Sequence, residues 1–370
     1  MTHLVFLLLS QLAVDAGAPD AGEPFIVKPT ARRPLARKVD EERVQRVFAS
    51  LSTRERAAQL VMAYPQIGKS TPVEVGGVLF VGNSLKNIAQ AKQRISSSLS
   101  RAKVPPFFAV DMEGGPTNRL KALKSLREMP TARELAQLDD AEVMKWGKKV
   151  GEAMRAIGLN LNLAPVLDVA EAGHMADNRR SFGGDPDVVV AKAIAYSRGL
   201  LEAGVVPIGK HYPGYGSLSG DSDHALVTAQ WKSDEVDKSA SVFDRAHEVL
   251  GGVMLANVVY SAYGPRPAIV TAALVEKAHA REWLAITDDI SIKLLADAID
   301  GTSEQVLEQS FLAGNDLLLT TAPPDWDKGL DYIGVLTRLA ESNPEALKKL
   351  DAACLRVLRL KDKMKLLDGL

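Results

Sequence analysis

Short, uninterrupted apolar runs alternate with amphipathic stretches along most of this chain. The runs are Gly77-Val78-Leu79-Phe80-Val81, Phe107-Phe108-Ala109-Val110, residues 159–163, residues 205–208, Val253-Met254-Leu255, Leu284-Ala285-Ile286 and Leu317-Leu318-Leu319. Each is bounded by glycine or polar residues. Between them, residues 139–157, 186–203, 238–250 and 304–313 carry apolar side chains at helical spacing. Residues 43–62 do the same, through Val44, Val47, Phe48, Leu51, Ala57, Ala58, Leu60 and Val61. Strands that are apolar on both faces and separated by helices predict a parallel sheet covered on both sides. Seven or eight such units without a reset in composition predict an α/β fold closed into a single (β/α)8 TIM-type barrel, and the helical pattern over 344–363 would complete it.

The first residues break the alternation. Leu4-Val5-Phe6-Leu7-Leu8-Leu9 and the residues up to Val14 form an apolar run too short to span a bilayer and suited to a secretory signal. The expected division is a signal peptide over 1–16, a linker or N-terminal extension over 17–42, and a barrel domain over 43–370. It implies an exported protein, periplasmic or secreted, with no stable membrane insertion after cleavage.

Composition narrows the function classes. Lys and Arg total 45 against 46 Asp and Glu in 370 residues, a formal net charge of −1, which lacks the basic footprint of a nucleic-acid binder. One cysteine, Cys354, rules out an intrachain disulfide, a cysteine zinc cluster and an iron–sulfur cluster. The six histidines are scattered, so neither a metal site nor another cofactor is expected. Gly204-Val205-Val206-Pro207-Ile208-Gly209-Lys210-His211 approaches a phosphate-binding loop but ends in His instead of Ser or Thr.

In an α/β barrel the chemistry sits at the C-terminal strand ends. The residues following the apolar runs are Asp111-Met112-Glu113-Gly114-Gly115, Lys210-His211-Tyr212-Pro213-Gly214 and Thr287-Asp288-Asp289. Asp111, Glu113, Lys210, His211 and Asp288 therefore fall on one rim, where carboxylates and cations could bind a polyol. A single strand-end acid is commonly no more than a helix cap, and Asp288 and Asp289 could be that.

Six ordered motifs carry a resemblance. They are Gly76-Gly77-Val78-Leu79-Phe80, Val110-Asp111-Met112-Glu113-Gly114-Gly115 with Arg119, the 159–169 segment ending in Ala164-Pro165-Val166-Leu167-Asp168-Val169, Arg180-Ser181-Phe182-Gly183, Lys210-His211-Tyr212-Pro213-Gly214, and Ile286-Thr287-Asp288-Asp289. Together they resemble glycoside hydrolase family 3, in its compact single-barrel bacterial branch of β-N-acetylhexosaminidases. The resemblance implies a retaining O-glycosyl hydrolase acting on terminal β-linked N-acetylglucosamine or a related sugar in glycans or cell-wall fragments. It implies Asp288 as nucleophile and Asp111, Arg119, Arg180, Lys210 and His211 as carbohydrate-binding residues.

The chain departs from the family pattern at several points. The family's acid/base loop reads Asp-Ser-His, whereas this one reads Asp221-Ser222-Asp223-His224. A one-residue slip would make His224 the general acid/base with Asp221 orienting it; otherwise Asp223 would need a raised pKa. Pro116, Tyr215 and Asn257 replace an arginine and two histidines of the pattern, and the usual glycine-rich linker before residue 284 is missing. These departures also fit a catalytically impaired barrel that binds a glycan or a protein partner.

Overall fold

The computed structural model describes residues 34–64, 75–321 and 331–370. The expected signal peptide over 1–16, and the extension up to residue 33, lie outside the described residues. Eight parallel strands form one sheet: β1 Val61–Ala63, β2 Gly77–Phe80, β3 Phe107–Val110, β4 Leu161–Asn162, β5 Val206–Tyr212, β6 Gly252–Leu255, β7 Leu284–Thr287 and β8 Leu318–Thr320. Their spatial order is β7-β6-β5-β4-β3-β2-β1-β8, so each strand lies beside its neighbour in sequence and β1 pairs with β8. A parallel bridge between Ile286 and Leu317 brings β7 and β8 together, and the sheet becomes the (β/α)8 barrel expected from the alternation.

The apolar runs appear as strands because both of their faces are covered. Met62, Leu79, Phe107, Leu161, Ile208 and Leu317 fill the barrel interior, while Val61, Val78, Phe108 and Val253 pack outward against the helices. The helix Pro344–Lys363 crosses the N-terminal mouth and sends Val357 and Leu360 into the interior cluster. Lys361, on the same helix, is fully buried. Its Nζ donates to Gln59 Oε1 at 2.6 Å and lies 5.1 Å from the Phe107 ring centroid; burial pushes the amine down to about 7.

Three sequence expectations need correction. Residues 43–62 are not one helix but two, Glu41–Ala49 and Thr53–Gln59, followed by β1. Ser52 restarts the helix through a capping box, its Oγ accepting from Glu55 N while Glu55 accepts from Ser52 N. Val61-Met62-Ala63 then leaves the helical pattern because both of its edges find strands, β2 and β8. The run 159–163 holds only a two-residue strand: Asn160 and Asn162 extend the pairing by accepting Phe108 N and Met112 N at 2.8 and 2.9 Å. The helix expected over 238–250 begins earlier, as Ser233–Arg245, and gives way to a 3-10 turn over His247–Val249.

Candidate active site

The C-terminal strand ends surround a cavity of about 270 Å3. Its floor is apolar, from Leu79, Leu163, Met254 and Leu319, and its walls are ionic. Asp111, Glu113, Arg119, Arg180, Lys210, His211, Asp221, Asp223 and Asp288 all line it, so the structure brings every expected site residue except His224 into one space.

The ionic wall is a network. Lys210, buried on β5, places Nζ 2.7 Å from Asp111 Oδ1 and 2.7 Å from Glu113 Oε1. Arg180 grips Glu113 with both prongs, Nε to Oε2 at 2.8 Å and Nη2 to Oε1 at 2.9 Å. Burial alone would raise the Glu113 carboxyl, but the charges of Arg180 and Lys210 outweigh it and hold Glu113 well below the usual carboxylate range. Burial likewise works against the Lys210 charge, and Asp111 and Glu113 overcome it. The cations are thus fixed before any ligand arrives. Replacing Lys210 with Met leaves Asp111 facing Glu113 without its counter-charge. The expected loss is about 3–5 kcal/mol of stability, read from urea unfolding at pH 7; a loss under about 1 kcal/mol would refute this account of the network.

His211 is held from behind by Asp168, which is fully buried. The imidazole Nδ1 lies 2.7 Å from Asp168 Oδ2, and Asp168 Oδ1 accepts from Tyr215 N at 2.6 Å and His211 N at 3.3 Å. Arg180 Nη2, a donor, faces His211 Nε2 at 3.4 Å. These partners assign the proton to Nδ1 and leave Nε2 as an acceptor at the cavity.

Asp288 and Asp289 follow β7 and separate into two roles. Asp289 is the structural one: its Oδ1 accepts from Ser291 N at 2.9 Å, Ser291 Oγ at 2.6 Å and Thr321 N at 3.1 Å. Asp288 has one hydrogen-bond donor among the described groups, Asp289 N at 2.8 Å, and otherwise faces the cavity. Burial pushes its carboxyl up to about 6, against the pull of His211, with the charge of Asp223 acting in the same upward direction. Such a group is ionised at neutral pH yet poorly solvated, which suits a nucleophile.

The loop over residues 221–224 differs from the expectation built on His224. The Asp221 carbonyl accepts from both His224 N and Ala225 N, at 2.9 and 2.8 Å, and this turn aims His224 outward. Its side chain is 83% exposed and does not line the cavity. Asp223 does line it. Asp223 is an exposed residue at the rim, and its carboxyl is raised by partial desolvation there and by the charges of Asp221 and Asp289.

The chain matches the glycosyl hydrolase family 3 N-terminal domain over residues 52–360. It belongs to that family. As a member it is a glycosidase. It is 31% identical over 330 residues to the beta-hexosaminidase LpqI of Mycobacterium tuberculosis, covering 85% of this chain and 84% of that protein. It is 27% identical over 289 residues to a beta-hexosaminidase of Pseudomonas aeruginosa, covering 75% and 83%. Among solved structures, the β-N-acetylhexosaminidase of Beutenbergia cavernae superposes with a TM-score of 0.74 at 26% identity, covering 84% of this chain and 98% of that one.

Within this glycosyl hydrolase family 3 barrel, the departures from the family pattern acquire physical roles. Tyr215 is buried; its hydroxyl donates to Gly220 O at 2.8 Å and accepts from Ser222 N at 3.1 Å, bracing the 220–224 loop from below. Asn257 Nδ2 donates to Asp289 O at 3.1 Å, securing the turn that carries Asp288. Trp283, which stands where the glycine-rich linker would be, is buried edge-on against Tyr212 at 6.1 Å. Sequence reasoning placed Glu113 on the rim but gave it no part; it is the hub of the cation network. In the sequence Asp168 is visible only as part of the 159–169 motif, and its service to His211 needs the fold to be seen. His174 carries no sequence signal beyond being one of six scattered histidines, yet it lines the cavity.

Proposed function

We propose that this protein is a retaining β-N-acetylhexosaminidase in which Asp288 attacks the anomeric carbon and Asp223 serves as acid and base. The observation that carries the proposal is the pairing of two unlike carboxyls across one cavity. Asp288 lies at a strand end, half-buried and ionised near neutrality, and Asp223 sits on the opposing loop with its carboxyl raised. Separate environments for the two carboxyls supply a nucleophile and a proton donor from the same residue type. The sugar hydroxyls would bridge Asp111, Arg180, Lys210 and His211 Nε2, while Arg119 adds a cation: its Nε is buried without a partner. A cavity of about 270 Å3 suits one terminal ring better than an oligosaccharide.

The reaction runs in two stages. In the first, the Asp288 carboxylate forms a bond to the anomeric carbon while Asp223 gives its proton to the departing oxygen. In the second, Asp223 takes a proton from water, whose oxygen displaces Asp288. Two inversions give net retention. The relatives named as hexosaminidases and the apolar N-terminal run support an exported enzyme acting on glycans that carry terminal N-acetylglucosamine. Among the described residues, no helix is long and apolar enough to cross a membrane.

The test is turnover of 4-nitrophenyl N-acetyl-β-glucosaminide followed by proton NMR. The expected first product is the β-anomer of the free sugar. An α-anomer appearing first would replace the covalent route with direct displacement by water. Sugar binding by calorimetry without turnover would leave a binding barrel instead.

A further inference from the structure

We infer that His174 is a positioning residue for the acid/base loop: its Nε2–H anchors the Asp221 carboxylate and thereby aims Asp223 into the cavity. The inference rests on the reading of Asp223 as the proton donor. His174 belongs to neither the loop nor a barrel strand. It lies on the short helix Gly173–Asp177, in the connection between β4 and β5.

Three observations carry it. First, His174 reaches the right group: its Nε2 is 3.9 Å from Asp221 Oδ1, and its side chain is only 16% exposed within the cavity wall. Second, its tautomer is set. Asn178 Nδ2 donates to His174 O at 2.9 Å, which fixes the amide, and the same nitrogen faces His174 Nδ1 at 3.4 Å. With a donor opposite Nδ1, that nitrogen is the acceptor, so Nε2 carries the proton and points it at Asp221. Third, the helix is stitched to the loop. His174 N donates to Leu218 O at 2.9 Å, Ser217 Oγ accepts from Glu171 N and Ala172 N, and the ring lies 6.0 Å from Tyr215. A side chain on Gly173 would meet Ser217 O and Leu218 O at 2.5 Å, so backbone contacts backbone here.

Asp221 in turn reaches Asp223. Its Oδ1 accepts from Asp223 N at 3.1 Å, which sets the turn that presents the Asp223 carboxyl. The 3.9 Å gap is about an ångström longer than a hydrogen bond. Orienting contacts in enzyme sites are commonly long without substrate and tighten in its complex. His224 is equally near Asp221 Oδ2, at 3.9 Å, but it stands in solvent, where its influence is screened.

The charged groups around this pair come from every neighbouring element. Asp223 faces Asp221 on its own loop, Asp288 and Asp289 beyond β7, His211 on β5, and Arg180 in the β4–β5 connection; Asp221 faces His174 and His224. Removing a donor from the ionised form of the Asp221–Asp223 pair raises the pair's affinity for its proton.

The test compares His174→Phe, His174→Gln and His224→Ala with wild type. Phe keeps the packing on Tyr215 and loses the donor; Gln restores an N–H. In His174→Phe, kcat/KM for an alkyl N-acetyl-β-glucosaminide is expected to fall about 10–100-fold, as when other orienting partners are lost. For the 2,4-dinitrophenyl glycoside, whose leaving group needs no proton, it should stay within about twofold. The basic limb of the pH profile for the alkyl substrate should move up. His174→Gln should recover most of the loss, and His224→Ala should stay near wild type. Equal kcat/KM losses on both substrates, no loss on either, or a basic limb that stays or moves down would each overturn the inference while leaving Asp223 its role. A wild-type protein that cleaves neither glycoside would overturn the parent reading as well.

Discussion

Asp288→Asn is expected to fold normally and to release nitrophenol from 4-nitrophenyl N-acetyl-β-glucosaminide at least about 10⁴-fold more slowly than wild type. The amide cannot form the glycosyl ester, and the remaining network can only bind. Folding should survive because Asp288 is not among the carboxylates that hold the rim together; Glu113, Asp168 and Asp289 do that. The stability effect has a definite sign. The Asp288 carboxyl is raised from 3.8 to about 6 by burial, so the group favours the folded state in its protonated form. That contribution is present below the unfolded value and is lost as pH rises through about 6. The Asn variant should therefore melt above wild type at pH 7, with the difference shrinking toward pH 4. The same titration should make wild-type kcat/KM fall below pH 6, where the nucleophile becomes protonated. A variant that keeps wild-type turnover would remove Asp288 from the reaction, and one that melts lower at pH 7 would contradict the electrostatics.

For Asp223→Asn the loss should depend on the leaving group. Alkyl and sugar aglycones need a proton as they depart, so kcat/KM for them should drop by about 10²–10⁴. The dinitrophenyl glycoside should form its glycosyl-enzyme at close to the wild-type rate and then stall, because no base activates water. Azide should release that block, since the anion attacks the anomeric carbon without losing a proton and expels the Asp288 carboxylate, leaving the β-glycosyl azide. If His224→Ala gave this profile and Asp223→Asn did not, the acid role would return to His224.

The barrel was legible because a parallel sheet buried on both faces writes itself as apolar runs, and seven of the eight strands did so. The first was hidden: Val61-Met62-Ala63 continues a helical spacing, and only pairing with two distant strands turns it into β1. At the site, strand-end positions placed Asp111, Lys210, His211 and Asp288 correctly on one rim, because strand ends define it. The loop could not be read the same way. Whether residue 223 or 224 enters the cavity depends on a turn closed by the Asp221 carbonyl, and nothing in the residue types announces that turn. His174 was invisible for a related reason: its importance lies in tertiary proximity to a loop about fifty positions away.

The plug across the floor of the barrel has a consequence for biosynthesis. Residues of β1 face an interior that is sealed by Val357 and Leu360, about 300 positions further along the chain. The ring itself closes only when 61–63 meets 318–320. A nascent chain therefore carries an unfinished, greasy cylinder until residue 360 has been translated and released from the ribosome. A premature stop shortly before residue 357 would spare every side chain that lines the cavity and still leave the cylinder open at its base, fit for proteolysis rather than for chemistry.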